Sequence, residues 1–370
     1  MKYAYERIKA DIRNRVRSGS WQPGEKLPSS RDFAAHYGTS VNTVEKAIKE
    51  LAQEGLLTRD SRRGTFAGGM PEAAPPSSSV RSGLIAAFVV GIENPVWASA
   101  LRGIDDEVHQ YGYSLLSSSD EGSSAKLESM VKGLVAKKVD GLIMCPIVEH
   151  GRPNKNAQLV RMLSDNGIQT VFLDRYAYDM DVPYVTSDNQ IGSYKLTRLL
   201  FEHGHRNILF VRNSNLTTMN ERWLGFQQAH ADLGCEFSER LDVFIPTENE
   251  DFKLEFEAYC SAFERKMKEM KFTAVFCAND QIAEAALISL EKLGYRVPEQ
   301  ISVVTYDAAN INYRLRLNLT GMNQPFYDMG RTAAKQLMQM IQGIERPAVI
   351  GHTCSSSLYL GSSVKPANSL

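Results

Sequence analysis

Asn42, Thr43, Lys46 and Lys49 lie one, three and three residues apart in the segment Ser40–Leu51 (SVNTVEKAIKEL), a spacing that gathers them toward one side of a helix. An amide, a hydroxyl and two ammonium groups presented together have a definite chemistry. The amide can pair with the edge of a base and the ammoniums with phosphate, so such a face suits the major groove of a duplex. Arg59, Arg62 and Arg63 cluster around the turn Ser61-Arg62-Arg63-Gly64, between the strand-like runs Leu56–Thr58 and Thr65–Ala67. A solvated hairpin would also carry such charges. Gly64 in the turn favours a basic wing that lies on a nucleic-acid backbone.

The elements that must hold these groups follow from the flanking residues. Tyr5, Ile8, Ile12 and Val16 form one side of a first helix, Tyr3 to Ser18. Trp21-Gln22-Pro23-Gly24 is a turn. Ser30 is placed to cap a short helix carrying Phe33, Ala34 and Ala35, which Gly38 breaks. Ser40 caps the next helix, whose Val41, Val44, Ala47, Ile48 and Leu51 recur at helical spacing, and Gly55 ends it. Helix, tight turn, helix and basic hairpin make the outline of a winged helix-turn-helix. Charge agrees: residues 1–70 hold 13 Lys/Arg against 8 Asp/Glu, while the remainder holds 29 against 35. A basic front on an acidic body fits one nucleic-acid-binding end.

This front closely resembles the DNA-reading domain of GntR-type bacterial regulators over residues 3–67. The resemblance is carried by Leu27-Pro28-Ser29 with Arg31, Ser40 with Thr43, Leu51, Glu54-Gly55-Leu56, and Arg63-Gly64-Thr65-Phe66. It implies contact with double-stranded operator DNA by Ser29, Arg31, Ser40, Asn42, Thr43, Lys46, Arg62, Arg63 and Gly64. One departure stands out. Val41 and Glu45 occupy positions where the family commonly has arginine.

Residues 68–82 are rich in Gly, Pro and Ser and read as a flexible linker, with Pro71, Pro75 and Pro76 forbidding a regular helix. From Leu84 onward the pattern alternates. Strand candidates are Leu84–Val90, Tyr113–Ser117, Gly141–Cys145, Thr170–Leu173, Asn207–Val211, Leu241–Ile245, Ala274–Cys277 and Ile301–Tyr306. Helical patterns separate them, which means parallel sheets. So many units exceed one ordinary open sheet, and two doubly wound lobes with a cleft between them fit residues 83–370 better. The expected fold class is α/β: a winged helix-turn-helix, a linker, and a two-lobed doubly wound domain.

The body resembles the effector domain of LacI/GalR-type regulators, itself like the periplasmic sugar-binding proteins. The carriers are Asn94-Pro95-Val96-Trp97, Phe172-Leu173-Asp174-Arg175, Ser187-Asp188-Asn189, Glu221-Arg222 with Gly225-Phe226, Ala274–Asp280, Gly294–Asp307 and Asn323-Gln324-Pro325-Phe326. The resemblance implies that Trp97, Asp174, Arg175, Arg222, Asn279, Asp307 and Phe326 line a small-molecule site, with the two aromatics as walls. The chemistry suits a monosaccharide, whose hydroxyls need planar donors and acceptors and whose C–H face needs an aromatic. Plainer readings stand beside this one. Arg222 could be a surface helix charge, Asp307 a turn residue, Trp97 core, and Arg175 a partner for a neighbouring carboxylate. Asp280 reads as a helix N-cap.

Other chemistries find no support. There is no GxxxxGK[ST], HExxH or GxSxG, and no nucleophile can be placed with a base. His203-Gly204-His205 reads as a helix C-cap turn rather than a metal site, so neither metal nor cofactor is expected. The five cysteines show no paired spacing, Met1 leads into a charged helix rather than a signal peptide, and the longest apolar run, Leu84–Val90, is too short for a bilayer. The expectation is a cytoplasmic, homodimeric, non-enzymatic transcription regulator without membrane attachment. It would be a repressor of sugar-utilisation genes released by a monosaccharide. A nucleobase or other small polar effector, or an activating role, is the alternative.

Overall fold

The structure is a computed structural model. It describes residues 2–17, 20–22, 24–53, 56–60, 64–68, 81–92, 94–147, 155–235, 237–245, 252–269, 271–315, 318–343 and 350–367. The chain folds as two compact units, Met1–Val80 and Arg81–Leu370.

The first unit contains α1 (Lys2–Arg17), α2 (Ser30–Tyr37), α3 (Val41–Gln53), β1 (Leu57–Asp60) and β2 (Gly64–Ala67). The apolar stripes of the three helices meet as Ile8, Ile12, Phe33, Val44, Ala47, Ile48 and Leu51, with Leu27, Leu57 and Ala67 closing the core. β1 and β2 pair antiparallel, Leu57 opposite Ala67, and Lys26 bridges to Phe66. Gly38, in the left-handed region at φ 61°, closes α2 as its C-cap. Ser40 accepts from the Thr43 amide at 3.2 Å and so caps α3. One expectation is corrected: α2 is capped by Ser29, not Ser30. Ser29 Oγ accepts from the Asp32 amide while the Asp32 carboxylate accepts from the Ser29 amide, a reciprocal pair that Ser30 cannot form. The helix end at Glu54-Gly55, the wing residues Ser61, Arg62 and Arg63, and linker residues 69–80 lie outside the described residues.

The second unit runs in order β3 (Leu84–Val89), α4 (Pro95–His109), β4 (Ser114–Ser119), α5 (Ser124–Lys137), β5 (Gly141–Met144), α6 (Asn156–Asp165), β6 (Gln169–Leu173) and β7 (Tyr184–Ser187). It continues with α7 (Asn189–Glu202), β8 (Ile208–Arg212), α8 (Thr217–Asp232), β9 (Asp242–Phe244), α9 (Phe252–Glu269), β10 (Ala274–Cys277), α10 (Asp280–Lys292), β11 (Ser302–Tyr306) and α11 (Ala308–Leu315). Last come β12 (Thr320–Asn323), α12 (Phe326–Ile341), β13 (Gly351–Cys354) and β14 (Ser357–Tyr359).

Two sheets result, ordered β13-β7-β6-β5-β3-β4 and β14-β12-β11-β10-β8-β9. In the first lobe the alternation along β3 sends Ile85, Ala87 and Val89 under α4 and α12, and Ala86 and Phe88 to the opposite face. The second lobe buries a larger cluster around Phe210, Phe226, Phe276 and Tyr306. The chain passes between lobes three times: through Asp188 from β7 to α7, through Gln324-Pro325 from β12 to α12, and through Ser355-Ser356 from β13 to β14. Asp188 joins two of these passages, its amide donating to Cys354 O at 3.0 Å and its Oδ1 accepting from the Ser356 amide at 2.7 Å.

The first sheet is parallel throughout, as expected, but β14 pairs antiparallel with β12. The reason is the path. β13 ends at the crossover, so the strand after it starts there and must run away, opposite to neighbours that end there. The strands β7, β12, β13 and β14 and the helix α11 carry no pattern that the sequence revealed.

Candidate functional sites: the reader face and the interlobe cleft

On the reader face, α3 exposes Val41, Asn42, Lys46 and Lys49, with Thr43 half-buried and its hydroxyl 2.8 Å from Ser40 Oγ. Lys46 Nζ lies 5.3 Å from the centroid of the Tyr5 ring, which lends it an aromatic partner without burying it. Arg31, at the start of α2, is exposed. Glu45, one of the two departures, is structural. It accepts from the Ser30 hydroxyl and from Arg59, tying α2 and β1 to α3. Those partners, Ser30 first, hold its carboxyl below the ordinary value. Arg59 is therefore partly neutralised. Gly64 sits at φ 109°, a left-handed backbone that favours glycine, and a Cβ there would stand 3.0 Å from Lys26 Cε. Arg62 and Arg63 lie outside the described residues.

The cleft is built on the C-terminal ends of the strands. Asp174 follows β6 and Asp307 follows β11, both with positive φ, 69° and 59°. Strained non-glycine residues at strand ends are a recurrent mark of ligand sites, where surrounding structure sustains the strain. Here the Asp174 carbonyl accepts from Thr186 Oγ1 at 2.6 Å and its amide donates to Val185 O. The Asp307 amide donates to Met322 O at 2.7 Å, and Gln324 Nε2 donates to both its carboxylate oxygens at 3.1 and 2.9 Å. Burial pushes the Asp307 carboxyl up to about 7 although Arg222 pulls it down.

Arg222, on α8, is 2% exposed. Its Nε donates to Asn189 Oδ1 at 2.8 Å and its Nη1 to Ala278 O at 2.6 Å, and its guanidinium carbon stands 3.9 Å from the Tyr306 ring centroid. Nη2 makes no hydrogen bond among the described residues. The close approach depends on Gly192, where a Cβ would fall 2.1 Å from Tyr306 Oη. Arg222 is thus no surface charge. Arg175 Nε pairs with Asp174 Oδ2 at 3.3 Å, the partner-of-a-carboxylate arrangement, and leaves its two terminal nitrogens without a described partner.

Asn279 caps α10 through Oδ1, which accepts from the Ile282 amide at 2.9 Å. Asp280, expected as that cap, is instead the first helical residue. Trp97 and Phe326 pack edge-to-face, centroids 5.4 Å apart, in the first lobe's core. Each stands in the first turn of a helix that starts at the cleft end of the sheet, Trp97 in α4 and Phe326 in α12. His203 forms the C-cap of α7 with Gly204 at φ 84°, and His205 lies between Thr273 Oγ1 and Lys365 O.

Four polar residues escaped the sequence reading. Glu221 is half-buried beside Arg222, accepting from Tyr176 Oη at 2.6 Å and Asn189 Nδ2 at 3.1 Å, and desolvation raises its pKa. Tyr176 comes from the other lobe, where its ring stacks on Tyr184 at 4.0 Å, and its amide donates across to Thr217 Oγ1 on α8 at 3.2 Å. Gln324 joins Asp307 to Ser187, whose Oγ donates to Gln324 Oε1 at 2.7 Å. Asp120 follows β4 and is fully buried. Glu221, next to Arg222, and Gln324, in the segment Asn323-Gln324-Pro325-Phe326, had a signal in the sequence; Tyr176 and Asp120 had none.

Carboxylates, guanidiniums and amides from both lobes, converging in a largely buried setting with two aromatics behind them, suit a small ligand bearing several hydroxyls. Among the described residues no cluster of His, Cys, Asp or Glu is arranged to hold a metal ion, and no helix is long and apolar enough to cross a membrane.

Known proteins give this geometry its context. The arabinose metabolism transcriptional repressor of Halalkalibacterium halodurans is 26% identical over 342 residues, covering 92% of this chain and 90% of the relative. That of Geobacillus stearothermophilus is 28% identical over 341 residues, 91% of each. Among solved structures, a LacI family transcriptional regulator from Enterococcus faecium with bound ribose shares the fold, with a TM-score of 0.65 at 22% identity, covering 77% of this chain and all of that one. Residues 4–67 match the gntR family of bacterial regulatory proteins. Residues 83–357 match the family of periplasmic binding proteins and the sugar-binding domain of LacI-type proteins. With three quarters of its length in that second match, the chain belongs to the LacI-type sugar-binding-domain family, as a transcription regulator whose DNA-binding domain is of the GntR type.

Proposed function

We propose that the protein is a cytoplasmic repressor of sugar-utilisation genes that leaves its operator when a monosaccharide occupies the cleft. The observation that carries this reading is the Arg222 assembly. A buried guanidinium is held by Asn189 and Ala278 with one terminal nitrogen to spare, on the lobe that also presents Asp307. Asp174 and Arg175 stand at the matching strand end of the other lobe. Such a pair of polar faces gains most from a ligand that touches both, so binding draws the lobes together. A change of lobe angle in a homodimer alters the spacing of two readers on a near-palindromic operator. The names of the two long relatives support a pentose, arabinose first, as the ligand to test. No catalytic step is assigned to the site.

A thermal-shift screen of the full-length protein against monosaccharides and nucleobases tests the reading. A ligand at 100 times its dissociation constant stabilises the body by about 2.7 kcal/mol. The expected hit is a monosaccharide. A nucleobase that stabilises where sugars do not would replace the effector, and the operator experiments below would then be run with that base.

A further inference from the structure

We infer that α3 reads two neighbouring A·T base pairs, with Val41 packing on a thymine methyl group and Asn42 pairing with the edge of an adenine. This rests on α3 being the helix that enters the major groove.

The first observation is Val41 itself. It is the first residue of α3 and is 40% exposed. The other branched aliphatic residues of the helix, Val44, Ile48 and Leu51, are fully buried in the unit's core. A single exposed valine means little on an ordinary surface. Its place gives this one meaning. The N-terminal residues of a recognition helix are those that meet base edges, and Asn42, Lys46 and Lys49 are exposed on the same helix.

The second observation is what the helix does not offer. α3 reads VNTVEKAIKELAQ and contains no arginine, the side chain that forks onto O6 and N7 of guanine. Glu45, one turn beyond Val41, is the group that would accept from the amino group of cytosine. Both of its oxygens are engaged within the protein, one by the Ser30 hydroxyl of α2 and the other by Arg59 of β1. Lys46 and Lys49 lie farther along the helix, and Lys46 Nζ stands beside the Tyr5 ring of α1, an exposed point charge suited to phosphate.

A branched apolar group and a carboxamide are left at the end that meets the bases. The thymine 5-methyl is the one methyl group that the major groove displays, and a carboxamide donates to N7 and accepts from N6 of adenine. Val41 and Asn42 are consecutive, so they face neighbouring base pairs. A G·C pair under Val41 would lose water from its polar edge and gain no partner for it.

The test begins with binding-site selection by the full-length protein from a randomised duplex. The expected half-site holds adjacent A·T pairs, and replacing either by G·C weakens binding by about 5- to 150-fold. Deoxyuridine is then substituted for thymidine one position at a time, which removes only the methyl group and needs no variant. The expected result is a thymine at which uracil weakens binding by about fourfold, the worth of one methyl group. Val41→Ala should lose the same factor on the thymine operator and be indifferent to uracil at that position. Uracil tolerated at every position, or a Val41→Ala protein that still distinguishes thymine from uracil there, overturns the assignment of Val41. G·C pairs at the positions whose selectivity Val41→Ala and Asn42→Ala relax overturn the A·T reading. If no sequence is selected over random DNA, the premise that α3 reads bases fails, and this inference with it.

Discussion

Arg222 and Asp307 show what the sequence discloses about single residues. The resemblance to the LacI-type effector domain marks both as candidates, and Asp307 also stands at the C-terminal end of a strand pattern. What could not be read is that Arg222 is nearly sealed from solvent and lies on the Tyr306 ring, because that depends on Gly225 letting α8 approach α7 and on Gly192 letting α7 approach Tyr306. Asp120 was illegible for a similar reason: an aspartate after a serine run reads as a loop residue until the fold buries it, with one oxygen that has no partner among the described residues. Arg222→Ala is expected to give a repressor that binds operator normally and ignores its sugar, with ligand affinity down tenfold or more, on the order of 1.5–3 kcal/mol. Calorimetry and a reporter that stays off in sugar check this.

Asp307 also gives a stability prediction with a definite sign. Its folded pKa, about 7, lies above the ordinary 3.8, so between those values the folded state holds a proton that the unfolded state releases. The contribution is favourable at acid pH and is lost as pH rises through 7. Asp307→Asn, which cannot ionise, should therefore raise the melting temperature of the second unit at pH 8 and change it little near pH 4, while losing ligand response. A scan at the two pH values checks it; equal shifts would mean that the carboxyl is not held in this way.

At the scale of elements, the reader was legible almost throughout. Periodicity, Gly38 and the serine before α3 placed both helices, and only the cap shifted. Asp32, three residues beyond Ser29, was the unused signal for it. Ser29→Ala should cost about 1 kcal/mol of reader stability, as N-cap losses do. Asn42→Ala should cost roughly 1–3 kcal/mol of specific operator affinity while leaving the fold intact, since the side chain is exposed. Mobility shifts on specific and scrambled DNA separate a base contact from a general one. In the body, the long strand–helix alternation was readable but the crossover strands were not. β7 (Tyr184–Ser187) and β12 (Thr320–Asn323) are four residues each and partly polar. They are strands because their neighbours pair with them, not because of their own pattern.

For the whole molecule, the sequence carried the architecture through its contrasts: a basic front, a Gly/Pro/Ser-rich join and an alternating body. A four-residue Gly/Ser insertion in the join should reduce operator affinity little, because even doubling a flexible loop costs only about 0.6 kcal/mol. A many-fold loss of repression would instead show the join to be ordered on DNA. The coupling between cleft and reader is a free energy, so a residue that abolishes ligand binding must abolish the response without weakening the unliganded repressor.

The most direct measurement of that coupling is fluorescence anisotropy of the full-length wild type and Arg222→Ala on an operator fragment obtained by binding-site selection, with and without saturating L-arabinose. The account predicts that the sugar weakens the wild type by tenfold or more, on the order of 1–3 kcal/mol of coupling, while Arg222→Ala binds equally tightly in both conditions. Wild-type affinity unmoved by L-arabinose after that sugar has been shown to bind, or an Arg222→Ala protein that fails to hold the operator even without sugar, would contradict it.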